Sequence, residues 1–212
     1  MTRLPNYARR RARGGKGLLP PNPKQWENEH NALDLREAIA LGLDIPLGHP
    51  AAFALLPDVT VVGHGQIPMA QIHIDHFRNS GSGAWSGMGI PLPGGGALVV
   101  FNDSHPMNRI RATLMEEFFH LWLGHPATTV RVYQDGGGRS YNARVEGEAY
   151  GSGAAALVPY QPLRTRLTAG QSVRAIASFF GVSQDLVVFR AKVTKLYGTI
   201  RRGGKTLRRS AD

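Results

Sequence analysis

Residues 112–126 read ATLMEEFFHLWLGHP. On a helix, Glu116 and His120 stand four positions apart and project the same way about one turn from each other, as two ligands of one metal ion require. Glu117 adds a second carboxylate beside the first. A bound cation with a carboxylate next to it can make water a nucleophile at neutral pH. The chain has no cysteine. Disulfides and thiolate metal sites are therefore excluded, and any metal must be held by His, Asp or Glu.

The rest of this helix is apolar nearly all round, through Ile110, Leu114, Met115, Phe118, Phe119 and Trp122. Such a helix is buried, so its strip of Glu116, Glu117 and His120 faces a cleft or the interior. An unpaired carboxylate there costs several kcal/mol, by the ~2–7 kcal/mol scale for buried polar groups. A cation relieves that cost, and so would ion pairs to Arg109, Arg111 or Arg144; the letters leave both open. An ExxH pair, Glu117 and His120, also occurs in di-iron bundles, but those need a second such pair and none is present.

A third ligand has to come from another element. The helix VEGEAYGSGAAALVP puts Glu146, Ala149, Tyr150 and Gly153 on one face, and its small residues allow close packing, so Glu146 is the expected source. Glu148 lies about 200° round that helix and is not expected at the same site. His125 follows His120 by five residues past Gly124, where a capping or outer role fits better than ligation. His73 and His76, in a stretch whose alternation predicts a strand, are read as structural.

The elements that position these residues follow from periodicity. Residues 26–43 have helical spacing, AAFALL is a second short helix, and VTVVGH, AQIHIDHF and GALVVFN are the three strand candidates. The glycine-rich SGSGAWSGMGIPLPGGG reads as a long hairpin loop. Helices dominate after residue 108, separated by the polar loop QDGGGRS, and AIASFFGVSQDLVVFRAK has helix-turn-helix spacing, with Gly181 at the turn and Ser183 as N-cap. Strands first and helices later predict an α+β domain. The expected division is a basic tail and linker over 1–25, the main domain over 26–160, a helix-turn-helix-like segment over 161–198 and a basic tail over 199–212.

In the HExxH arrangement of metalloproteases two histidines hold zinc and the glutamate between them is the base. Glu116, Glu117 and His120 occupy those three places. RIRATLMEEFFHLWLGHP, then VEGEAYGSGAAALVP, then FFGVSQDLVVFR resembles the ImmA/IrrE family of bacterial and phage metallopeptidases, whose members show TLAHELGHLLLGHP, ExEANxFAxxLLMP and a helix-turn-helix-like segment. The resemblance covers roughly residues 30–197. It implies a zincin-like fold, with a small sheet packed on the active-site helix, and a zinc-dependent endopeptidase. Carried over by position, Glu117 is the general base toward water, His120 a ligand and Glu146 the third ligand. Glu116 stands where the family has its first histidine, and Tyr150 where it has asparagine; a tyrosine there can donate to an oxyanion. Two carboxylates cancel the charge of a divalent ion, which lowers its acidifying power and shifts preference from Zn²⁺ toward Mn²⁺ or Fe²⁺.

The net charge is +10, and residues 1–16 and 201–212 carry all of it. Such ends attract polyanions without reading sequence, so non-specific DNA contact is one expectation. No apolar run approaches the ~18 residues of a membrane span, and the expected location is cytoplasmic. The resemblance implies a protein substrate, a transcriptional repressor of the phage or stress-response kind. The alternative expectation is a catalytically impaired regulator of the same fold that binds DNA or a partner protein.

Overall fold

The computed structural model describes residues 17–200, apart from 69, 84, 127–129, 134–135 and 140–141. The two basic ends, and the DNA contact expected of them, lie outside the described residues. The elements are α1 (Trp26–Ala38), α2 (His49–Phe53), β1 (Val59–Gly63), α3 (Gln71–Arg78), β2 (Gly87–Pro91), β3 (Ala97–Phe101), α4 (Met107–Trp122), β4 (Val130–Tyr133), β5 (Gly136–Arg139), α5 (Ala143–Leu157), α6 (Tyr160–Thr168), α7 (Val173–Phe180) and α8 (Gln184–Val193). The architecture is α+β: β3 lies between β1, its parallel partner, and β2, its antiparallel one, while β4 and β5 form a separate two-stranded ribbon.

Two strand readings are corrected. AQIHIDHF, expected as a strand, forms α3. Its alternating isoleucines do not share a face: Ile74 is buried while Ile72 is 73% exposed, and Gln71 donates across one turn to Asp75 (2.7 Å). Short apolar alternation fits either period, and here the helical one wins. The third strand comes instead from GMGIP, inside the stretch expected to be loop. Its glycines are required by close approach, since a Cβ on Gly87 would lie 2.6 Å from Thr113 Cγ2 of α4. Pro91 is tolerated because β2 is an edge strand. Within QDGGGRS, also expected to be loop, residues 136–139 form β5.

The α4 helix is buried along Ile110, Thr113, Leu114, Met115, Phe118 and Phe119. Phe118 meets Phe53 and Phe119 edge-on and stacks on Trp122. On the other side α4 packs against α5, which Asn142 caps by accepting from the Arg144 and Val145 amides. At Gly153 a Cβ would lie 3.1 Å from the carbonyl carbon and oxygen of Met115 and 3.2 Å from the Glu116 amide nitrogen. At this point the two helices meet backbone to backbone, and a methyl group would push them apart by a few tenths of an ångström.

The α7–α8 turn forms as its letters predict, with Gly181 left-handed (φ 65°) and Ser183 accepting from the Leu186 amide. Ile176, Phe180, Leu186, Val187 and Ala191 join the same apolar core as α1, α4 and α5. Arg190 of α8 is fully buried, paired with Glu29 of α1, and its Nε donates to the Val158 carbonyl (3.0 Å). Arg36 of α1 donates to the Ala156 carbonyl (2.9 Å). The end of α5 is thus held by guanidinium groups from two other helices.

Because the atoms facing Gly153 are backbone, they cannot rotate away. Gly153→Val is expected to separate α4 from α5 and lower unfolding stability by about 1–3 kcal/mol, the range for overpacking, read from urea denaturation.

Candidate metal centre

The strip on α4 meets the first turn of α5 at His120 and Glu146. His120 Nε2 lies 3.3 Å from Glu146 Oε2, and one ligand atom from each of Glu116, His120 and Glu146 lies within 4.8 Å of the other two. Three donors at about 2.0–2.2 Å from one tetrahedral ion stand about 3.4 Å apart. The His120–Glu146 pair already has that spacing, and the set fits a small divalent cation once the wider separations close by up to about 1.4 Å. Arg109 donates to Ser86 Oγ (2.8 Å) and Arg111 to the Gly181 carbonyl (3.3 Å), so two of the three arginines considered as partners of the acids hydrogen-bond elsewhere.

The electrostatics favour a cation. Burial, with the Glu146 charge added to it, raises the Glu116 carboxyl to a pKa of about 7. Burial also lowers the pKa of His120; Glu146 opposes that shift by charge and hydrogen bonding, and His125 adds to it. A half-buried site that sets two acids beside a weakly basic imidazole draws in a cation. Oxygen and imidazole donors of this kind suit zinc and the divalent first-row metals.

Glu117 is half-buried on the flank of α4 that faces the sheet. A Cβ on Gly89 of β2 would lie 3.3 Å from Glu117 Oε2, so this carboxylate sits against the bare backbone of the edge strand. Tyr150, one turn beyond Glu146, lies edge-on to Phe189 of α8 with ring centres 5.1 Å apart. Its phenol pKa is raised by burial, then by the charges of Glu116 and Asp185. The phenol accordingly keeps its proton and can donate it in a hydrogen bond.

His125 reaches the site by a chain reversal. Gly124 is left-handed (φ 68°), the Gly124 amide bonds the Leu121 carbonyl (3.1 Å), and the His125 amide bonds the His120 carbonyl (2.9 Å). These are the paired bonds of a Schellman helix end. They fold His125 back so that its Nδ1 is 3.2 Å from Nδ1 of His120. Its Nε2 is 3.6 Å from Glu148 Oε2, which places Glu148 away from the Glu146 side, as helical spacing requires. The sequence reading did not join His125 to Glu148, although Gly four positions after a histidine and immediately before another is the signal for such a reversal. His73 and His76 lie on α3 and do not join this group.

The family model of the IrrE N-terminal-like domain, Peptidase M78, matches residues 66–192, which span the three-residue group, Glu117, Tyr150 and nearly all of α8. No curated protein and no solved structure matches the chain.

A raised carboxyl pKa has a defined effect on stability. Between the ordinary carboxylate value and about 7 the folded, metal-free chain binds more protons at Glu116 than the unfolded chain does. Its stability therefore falls as pH rises through that window. The lowered His120 pKa works in the opposite sense, so the comparison must isolate Glu116. With chelator present, Glu116→Gln is expected to melt progressively higher than wild type as pH rises from about 5 to about 8, measured as the difference in thermal midpoint. A constant difference would show that Glu116 keeps an ordinary pKa.

Proposed function

The chain belongs to the IrrE N-terminal-like, Peptidase M78, family, and on that premise we propose that it is a metal-dependent endopeptidase whose ion is held by Glu116, His120 and Glu146. The observation that carries this reading is the convergence of three ligand atoms within 4.8 Å at a half-buried, acid-rich point. A divalent cation bound there supplies a Lewis acid that polarises a peptide carbonyl and makes water easier to deprotonate. Zinc is the ion proposed, with manganese or iron(II) as alternatives favoured by the two carboxylates.

Within this reading the chain's own groups divide the work. Glu117 stands outside the three ligands and acts as general base, taking a proton from the attacking water and returning it to the leaving amide nitrogen. Tyr150 keeps its proton and donates to the oxygen on which negative charge develops. Strand β2 is an edge of its sheet, and its Gly89 lies beside Glu117. An extended peptide lying along β2 by backbone pairing would pass in front of the base.

The proposed substrate is a cytoplasmic regulatory protein of repressor type, on the strength of the family alone. No helix among the described residues is long and apolar enough to cross a membrane.

Metal content and cleavage test separate parts of the proposal. Glu117→Gln is expected to retain metal and lose about 10²–10⁴-fold in turnover of a peptide substrate. Glu116→Ala and His120→Ala are expected to lose bound metal, read by elemental analysis after loading and desalting. A folded wild-type chain that takes up none of the three metals would overturn the enzyme reading in favour of a regulator of the same fold.

A further inference from the structure

Four side chains form a continuous line from the candidate metal centre outward. Glu146 Oε2 is 3.3 Å from His120 Nε2, His120 Nδ1 is 3.2 Å from His125 Nδ1, and His125 Nε2 is 3.6 Å from Glu148 Oε2. The two imidazoles stand 5.1 Å apart between centres at 74°, edge to face rather than stacked, and this arrangement brings their Nδ1 atoms into hydrogen-bond contact. The His125 side chain is only 9% exposed, so its ring is held between His120 and Glu148. We propose that His125 and Glu148 are a positioning pair that fixes the ring orientation and the tautomer of His120 as a metal ligand.

The argument is one of proton placement. Two facing ring nitrogens bond only if one carries a hydrogen and the other does not. A histidine that offers Nε2 to a metal carries its proton on Nδ1, so His120 must donate and His125 Nδ1 must accept. The proton of neutral His125 then sits on Nε2, which faces the Glu148 carboxylate. Each assignment forces the next, and the line ends on an anion, as the outer partners of metal-bound histidines commonly do. Here a second imidazole is inserted between ligand and carboxylate. The backbone supplies the geometry: the left-handed Gly124 and the His125-to-His120 amide bond return the second ring onto the first.

This inference rests on Glu116, His120 and Glu146 being the metal site. The test is zinc affinity of the full chain, by competition with a chromophoric chelator, for wild type, His125→Ala, His125→Asn and Glu148→Ala, with melting curves as the folding control. His125→Ala is expected to bind zinc about 10–100-fold more weakly, the usual effect of losing an outer partner. His125→Asn, whose amide oxygen stands where Nδ1 stood, should recover most of that loss, and Glu148→Ala should show a smaller loss. A readout that needs no variant is the ¹⁵N imidazole spectrum of the zinc-loaded wild type: His120 should carry an exchange-protected proton on Nδ1, and His125 should be the Nε2–H tautomer. Wild-type affinity in folded His125→Ala, or a proton on Nδ1 of His125 in the loaded protein, would overturn the pair while leaving the metal site standing. A wild type that binds no zinc removes the metal reading and the pair together.

Discussion

The site depends on one close contact, that of Gly153 with the backbone of α4 at Met115 and Glu116. A helix side chain normally holds its neighbour at an interaxial distance of about 8–10 Å, and glycine at the crossing allows the near end of that range. The same helix is approached from the sheet side by Gly87 and Gly89, which lie against Thr113 and Glu117. Thus α4 fills the core with Phe118 and Phe119 on its broad apolar faces. Its polar strip emerges where both neighbours have given up their side chains. Glu146 reaches His120 because of the first approach, and Glu117 lies against bare backbone because of the second.

Within that gap the charges are poorly balanced for a chain without a cation. Burial raises the cost of ionising Glu116, and the Glu146 charge beside it adds to that cost. A histidine in place of Glu116 would remove one of the two acids and leave a neutral donor. The variant motif therefore trades a neutral ligand for an anionic one: a divalent ion would gain attraction on entering and lose acidifying power once there. Tyr150, protonated and within the field of Glu116, offers a neutral donor close to that surplus charge.

Much of this was legible in the letters. Glu116 and His120 at helical spacing on an otherwise apolar helix, and glycine and alanine on the partner helix, pointed to the three side chains that the fold brings within 4.8 Å of one another, because helical period and size are local properties. The α7–α8 turn was legible for the same reason, through Gly181 and Ser183. What the letters hid were elements whose identity is set by neighbours. GMGIP has the composition of a loop, and it is a strand because α4 lies where its side chains would be. QIHIDHF alternates like a strand, yet the position beside β3 is taken by β2, and Ile74 is buried while Ile72 is exposed. Glu148 seemed idle while Glu146 was in view, since nothing in helical spacing says that the chain will turn back at Gly124 and bring His125 to it.

The buried grips on the end of α5 bear on the precision of the site. Arg36 and Arg190 hold the carbonyls of Ala156 and Val158, whereas Glu146 lies in the helix's first turn. Ten residues of helix separate Ala156 from Glu146, a lever arm of about 15 Å at ~1.5 Å per residue. A tilt of roughly 4° about the gripped end would carry the Glu146 carboxylate by about 1 Å, a displacement of the size that costs on the order of 10²-fold in a catalytic site. The guanidinium anchors in α1 and α8 thus act as the fulcrum of a lever whose tip is a candidate ligand, and the aim of that tip is set by residues that never touch it.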